Sequence, residues 1–280
     1  MEVADRIGKA STSLTNAERR VAEVVLANPQ LVAFGTVADL AEGAGSGAAT
    51  VVRLATKLGF EGFSALQASV QQDLANQLRP AAERIRDPAV HDSLNRHLQL
   101  ELGNVQTTLG QLDQDAVADV VNHLADRSKR VFVLSGDASK GVAAQFVGDL
   151  DALRPNVTMV SGNDVAVQRT VALMERGDVL VTIDLRRYDR WLVEAARRAA
   201  EAGVWTVSIA DSVLSPVAAG AQRTLVDTAA GAGPFDSHVG TLALMNVLVA
   251  AAAMRLRGVA TERLDRSEAA WLASNALTER

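Results

Sequence analysis

Five short apolar runs pace the second half of the chain, at 131–134, 157–160, 179–183, 204–209 and 224–226. Segments with helical periodicity, roughly ten to twenty residues long, separate most of them. Strands that are apolar throughout and alternate with helices belong to an open parallel sheet covered on both faces. Such a sheet holds its ligands at the carboxyl ends of the strands, beside the point where the strand order reverses. A chain of 280 residues, 48% of them hydrophobic, buries a core of this kind and has length left for a second domain.

The second domain shows itself at 39–60, DLAEGAGSGAATVVRLATKLGF, which reads as two short helices around a glycine turn. Leu40 and Ala41 close the first helix, and Gly43 and Gly45 supply the backbone freedom of a sharp turn. From about Gly47 to Leu58 a second helix directs Val51, Leu54, Ala55 and Leu58 inward. Ala48, Ala49, Thr50, Arg53 and Lys57 fall on the other side. That face is small at its start, then hydroxylic, then cationic. A helix entering the DNA major groove needs such a face, with small residues for close approach and Arg53 to reach guanine edges or phosphate. The competing reading of the same spacing is an ordinary helical hairpin with a solvated cationic face.

The flanking residues weigh on that choice. LTNAERRVAEVVLANP (14–29) precedes the unit, and Gly59-Phe60-Glu61-Gly62-Phe63 follows it. Together they resemble the N-terminal domain of the RpiR family of bacterial transcription regulators, in which an L-T-x-x-E-R-x-V-A helix leads into an A-D-L-A…A-T-V-V-R…K-L-G-F-x-G-F unit. The resemblance covers roughly the first quarter of the chain and implies binding to a double-stranded DNA operator. It departs at Ser46 and Gly47, where the family has a small β-branched apolar residue and then Ser. Ser46 retains N-cap chemistry, but the turn loses an apolar contact.

Further expectations follow in chain order. Thr15 caps a helix from Asn16 with Glu18 as its capping-box partner, Val21, Val24, Val25 and Leu26 form the apolar stripe, and Asn28-Pro29 ends it. Phe34 packs beneath the helix-turn-helix pair. Ser64 caps another helix, through Leu78, with Leu66, Val70, Leu74 and Leu78 at four-residue steps. RPAAERIRDP (79–88) is the linker, and an amphipathic helix from about Val90 to Leu112 leads onward. The resulting division is a helix-turn-helix domain at 1–79, a linker and connecting helix at 80–112, an effector and dimerisation domain at 113–258, and a helical tail at 259–280.

The α/β half resembles a sugar-isomerase (SIS) domain, in the order of its elements, in Ser135-Gly136-Asp137-Ala138-Ser139, in Arg176-Gly177-Asp178 before a strand, and in Leu214-Ser215-Pro216-Val217-Ala218. The expected fold is thus an all-α helix-turn-helix domain followed by a doubly wound, SIS-like α/β domain with a parallel five-stranded sheet. SIS domains hold a phosphosugar with an S-x-S-G-x-T loop after the third strand, where free amides at a helix start favour an anion. Here the loop reads Asp184-Leu185-Arg186-Arg187-Tyr188-Asp189-Arg190, without the glycine, serines or threonine. Arg186 and Arg187 would grip a carboxylate or phosphate bidentately, with Ser135 and Ser139 on the first strand–helix turn. The effector-binding candidates are Ser135, Ser139, Asp184, Arg186, Arg187 and Tyr188. The alternatives are that the arginines pair with Asp184, Asp189 or nearby acids, and that Ser139 is simply a helix cap. A small anion is expected, held away from the usual phosphate seat because Asp184 repels it there unless Arg186 or Arg187 neutralises the charge. His238 lines the pocket or caps the alanine-rich helix at 239–257.

Charge and composition limit the function. The net charge is −5, and residues 1–79 hold seven Lys/Arg against eight Asp/Glu, a net of −1. One copy is therefore a poor DNA binder, because phosphate contacts dominate affinity, and a homodimer or tetramer is expected. The chain has no cysteine, which excludes disulfides and thiolate metal sites and fits the cytoplasm. Neither a signal peptide nor a membrane span is read, and no metal or cofactor is called for. No acid–base constellation marks the strand ends, so a transcription regulator is favoured over a sugar-phosphate isomerase with a helical extension. A SIS-like domain reduced to dimerisation is the third reading.

Overall fold

The structure, a computed structural model, describes residues 2–10, 13–77, 80–86, 94–213 and 215–276. They form two compact units, Met1–Arg84 and Ile85–Arg280.

The first unit is helical: α1 Glu2–Ala10, α2 Asn16–Ala27, α3 Pro29–Phe34, α4 Val37–Gly43, α5 Ala48–Lys57, α6 Phe63–Gln77 and α7 Ala81–Ile85. Two capping boxes start the central helices. Thr15 and Glu18 exchange bonds at α2, and Thr36 and Asp39 do the same at α4, satisfying amides that have no partner inside a helix. Gly45, at φ 54°, turns the chain between α4 and α5. Val21, Val25, Leu40, Val51, Leu54 and Leu66 make the core.

Three local expectations are corrected. Phe34 is 80% exposed, because Val32 and Ala33 take the inward positions of α3 and the next residue rotates outward. The helix after the glycine turn begins on Gly47 as N-cap with no side-chain bond, and the Ser46 hydroxyl is buried without a partner instead of capping. Ser64 lies inside α6, which starts one residue earlier. Of the α6 stripe, Leu66 and Val70 are buried, whereas the Leu74 and Leu78 side chains fall outside the described residues.

The second unit runs α8 Leu94–Gly110, α9 Gln114–Ala125, β1 Val131–Ser135, α10 Lys140–Leu153, β2 Val157–Met159, α11 Asp164–Ala172, β3 Val179–Ile183, α12 Arg190–Glu201, β4 Trp205–Ala210, β5 Arg223–Val226, α13 Val239–Arg255 and α14 Arg257–Ser274. Every strand pair is parallel and the order is β2-β1-β3-β4-β5. The expected five-stranded parallel sheet is therefore present. Side chains alternate along each strand. Val131, Val133, Val181, Ile183, Val207 and Ile209 pack with α9, α10 and α13, while Phe132, Leu134 and Leu180 pack with α11 and α12. Both faces of the central strands β1, β3 and β4 are thus covered, which is why those strands read as largely apolar runs.

The helix expected as a connector is built into this second unit. Along α8, Thr108 donates to Asp227 at 3.0 Å, and Asn104 exchanges hydrogen bonds with both backbone groups of Ala230. Among the described residues no single helix is long and apolar enough to cross a membrane; α13 and α14 pass that test only as a pair bent by 103°.

Candidate functional site

The first site is the outward face of α5. Val51, Leu54, Ala55 and Leu58 are buried, as the spacing predicts, and Ala48, Ala49, Val52, Arg53, Thr56 and Lys57 are exposed. Two of the residues assigned to that face are placed differently. Thr50 is buried, and its hydroxyl accepts the Arg53 guanidinium at 2.9 Å. The Lys57 ammonium is turned back onto the unit, 2.9 Å from Glu18 Oε2 and 2.5 Å from the Ser13 carbonyl. Val52 and Thr56, left unassigned by the sequence reading, complete the face. Arg20 steadies the turn before α5 by donating to the carbonyls of Ala44 and Gly45.

The capping bond from the Thr15 amide, then the Lys57 hydrogen bond, holds the Glu18 carboxyl down at about 2 against burial, which opposes ionisation. A depressed carboxyl stabilises the fold above its unfolded value of 4.5, and this contribution disappears as pH falls from there through about 2. Glu18→Gln should flatten that acid limb of the melting temperature. An unchanged slope in circular-dichroism melts would show that the pair contributes nothing.

The second site lies at the carboxyl ends of β1 and β3, where the strand order reverses. Register puts Ser135 beside Ile183, so the turn after β1 and the loop after β3 face each other. Asp184 is buried, and its carboxylate accepts the amides of Leu185 at 3.1 Å and Asp189 at 2.8 Å. A Cβ on Gly136 would come within 2.3 Å of Asp184 Oδ1, so the close approach requires glycine. Burial chiefly, with Asp189 and Asp211 adding repulsion, pushes the Asp184 carboxyl up to about 6.

Arg186 adopts φ 60°, a left-handed conformation that a non-glycine residue adopts at a cost. Its amide donates to Asp211 at 3.3 Å and its guanidinium to Asp236 at 2.6 Å. The pairing alternative thus holds for Arg186, with Asp236 as the partner. Neither Arg186 nor Arg187 neutralises Asp184, and Arg187 is exposed. The Tyr188 hydroxyl donates to Asp211 at 2.5 Å, and burial followed by Asp211 drives its pKa upward. Ser135 and Ser139 are 3% and 1% exposed with unpartnered hydroxyls, so Ser139 does not cap α10 through its side chain. His238 stands at the start of α13, 3.4 Å from the Thr241 hydroxyl. Sequence reasoning missed Asp211 and Asp236. Asp211 follows β4 as Asp184 follows β3, which was a readable signal; Asp236 sits in a loop whose path no periodicity gives.

Comparison with known proteins covers both sites. The helix-turn-helix domain of the rpiR family matches residues 1–77, and the SIS domain matches residues 123–251. An uncharacterized HTH-type transcriptional regulator of Haemophilus influenzae is 30% identical over 231 residues, spanning 80% of this chain and 79% of its own. The HTH-type transcriptional regulator HexR of Pseudomonas aeruginosa is 28% identical, spanning 80% and 76%. The sugar isomerase domain of an RpiR transcription factor from Sphaerobacter thermophilus superposes with a TM-score of 0.57 at 29% identity, covering 62% of this chain and 97% of that one. Vibrio vulnificus NanR, solved with ManNAc-6P, shares the fold over 97% of this chain and 98% of its own, with a TM-score of 0.59 at 20% identity. With the α4–α5 hairpin and the reversed strand order in agreement with the two family matches and the 30% identical relative, the chain belongs to the RpiR family of helix-turn-helix–SIS transcriptional regulators.

Proposed function

We propose that two copies of the chain bind an operator through their α5 helices and that the SIS domain receives a small polar metabolite at the ends of β1 and β3. The observation that carries the first half is the face of α5: Ala48 and Ala49 at its start, then exposed Val52, Arg53 and Thr56. Small residues permit close approach, Val52 offers apolar contact to a thymine methyl, and Arg53 suits guanine. The first turn of α5 has no side-chain cap, which leaves its amides to a phosphate oxygen. An operator places the protein at the DNA, in the cytoplasm of a bacterium.

Pairing is supported by an open apolar groove of about 430 Å³ lined by Leu109, Leu112, Val117, Val121, Val247 and Ala251. Leu98 and Leu102 of α8 and Leu242 of α13 are also exposed. A second copy is the occupant that a near-neutral DNA-binding unit requires. An isomerase would need a general base set against a sugar carbon. The carboxylates after β3 and β4 instead hold backbone amides and the Tyr188 hydroxyl.

The test is a gel-shift titration against an operator selected from random DNA by the full chain. Arg53→Ala should weaken binding by about 1–3 kcal/mol and relax preference at one base pair. Lys57→Ala, in contrast, should lower the melting temperature more than the affinity, because its ammonium is held by Glu18. Wild-type affinity in Arg53→Ala would remove α5 as the reading helix.

A further inference from the structure

In the crevice between β1 and β3, the place where a bound anion would rest is filled from within. The Asp184 carboxylate takes the Leu185 and Asp189 amides, at 3.1 and 2.8 Å, and amides at a strand-to-helix turn are what seat an anion. The same carboxylate lies against Gly136. A second anion there would face Asp184, Asp189 and Asp211 together, and the last two already oppose ionisation of the first.

The nearby cations take other carboxylates as their ion-pair partners, although Lys140 also feels the Asp189 charge. Lys140 pairs with Asp137 at 2.5 Å and Arg186 with Asp236 at 2.6 Å. Among the described residues no lysine or arginine forms an ion pair with Asp184, Asp189 or Asp211. An independent observation also points to a ligand. Ser135 and Ser139, on the turn around Gly136, are more than nine-tenths buried, and their hydroxyls have no partner. Buried hydroxyls are nearly always bonded, and leaving one unbonded costs more than its bond would contribute. A ligand that brings positive charge and further hydrogen-bonding groups answers both imbalances.

We propose that the strand ends take an ammonium-bearing polyol, such as an amino sugar, and that Asp184 is the specificity residue that fills the seat a phosphate would use. The inference rests on the reading of the SIS domain as an effector receptor. In it the ammonium sets against Asp184, Asp189 and Asp211, and Ser135 and Ser139 bond the neighbouring hydroxyls. Discrimination arises because the protein supplies the carboxylate itself and leaves an incoming phosphate without amides.

The experiment titrates the full chain at neutral pH and matched ionic strength with glucosamine, glucose, glucose 6-phosphate and inorganic phosphate, by calorimetry and melting temperature. Wild type should bind glucosamine roughly tenfold or more tightly than glucose and show no response to either phosphate. Asp184→Asn should erase the preference for the amine. Asp184→Ser should open the amide seat, so that inorganic phosphate and glucose 6-phosphate bind roughly tenfold or more tightly than to wild type. Where neither variant folds, the ranking of the four probes on wild type decides. Glucose 6-phosphate bound to wild type as tightly as glucosamine would overturn the inference while leaving an effector receptor in place. Glucosamine bound no better than glucose, or no response to any probe, would overturn the ammonium assignment. Operator binding, read in parallel by gel shift, tests the regulator reading, and no probe result bears on it.

Discussion

Removing residues 85–280 is expected to lower operator affinity by about a hundredfold or more. The unit that remains, Met1–Arg84, folds around its own core and carries only one copy of the proposed reading helix, α5. Its phosphate-binding capacity is small. Residues 1–79 have a net charge of −1, Lys57 is bonded to Glu18, and Arg20 is bonded to the turn carbonyls. Two such units, if held by paired SIS domains as proposed, would meet two half-sites as one event, so the second would bind at a high effective concentration. Gel shifts of residues 1–84 and of the full chain on the same selected operator measure the difference. Light scattering of residues 85–280 should give a dimer. Equal affinities, or a monomeric SIS unit, would contradict the pairing.

Sequence patterning carried the fold further than it carried the site. Each of the five apolar runs became a strand with ends shifted by no more than about one residue; the three central strands are buried almost end to end, and the edge strands β2 and β5 keep enough Val, Met and Leu to mark their place. The capping box of Thr15 and Glu18 was equally legible, since its chemistry is complete within four residues. Phe34 was misplaced because a six-residue helix offers too few turns to fix its phase.

At the site, the sequence showed which residues stand at strand ends but not which partners they choose. The Arg186–Asp236 pair spans fifty positions, and the reach of Glu101 to Ser237 spans 136. Such pairings depend on how the loop at 227–238 lies across α8, and that path is set by tertiary packing. Lys57 shows the same limit at short range. Helical phase put it on the outer face correctly, yet a long flexible side chain let the ammonium fold back to Glu18. Helical phase locates the backbone of a residue, and the nearest buried carboxylate decides where its charge goes.

Arg154→Ala should be the most destabilising single change in the SIS unit, by about 3–5 kcal/mol. Arg154 is fully buried at the end of α10. Every hydrogen bond its guanidinium donates ends on a backbone carbonyl: Leu124 at 2.6 Å, Asp126 at 2.9 Å, Pro155 at 3.0 Å, and Lys129. Burial lowers its pKa, with the Asp126 charge opposing. The side chain thereby ties the end of α9, the turn into β1 and the exit of α10 to one point. Truncation leaves several carbonyls buried without donors and opens a cavity as well, two costs that add. A loss of this size is a large part of the roughly 5–15 kcal/mol that holds a domain together. Arg154→Met separates the two costs, since it restores much of the volume and none of the bonds, and Arg154→Lys returns a charge without the planar fork. Urea unfolding should rank wild type above Lys, and Lys above Met and Ala. A midpoint for Arg154→Met equal to that of wild type would mean that the carbonyls find other donors and that the residue matters only for its bulk.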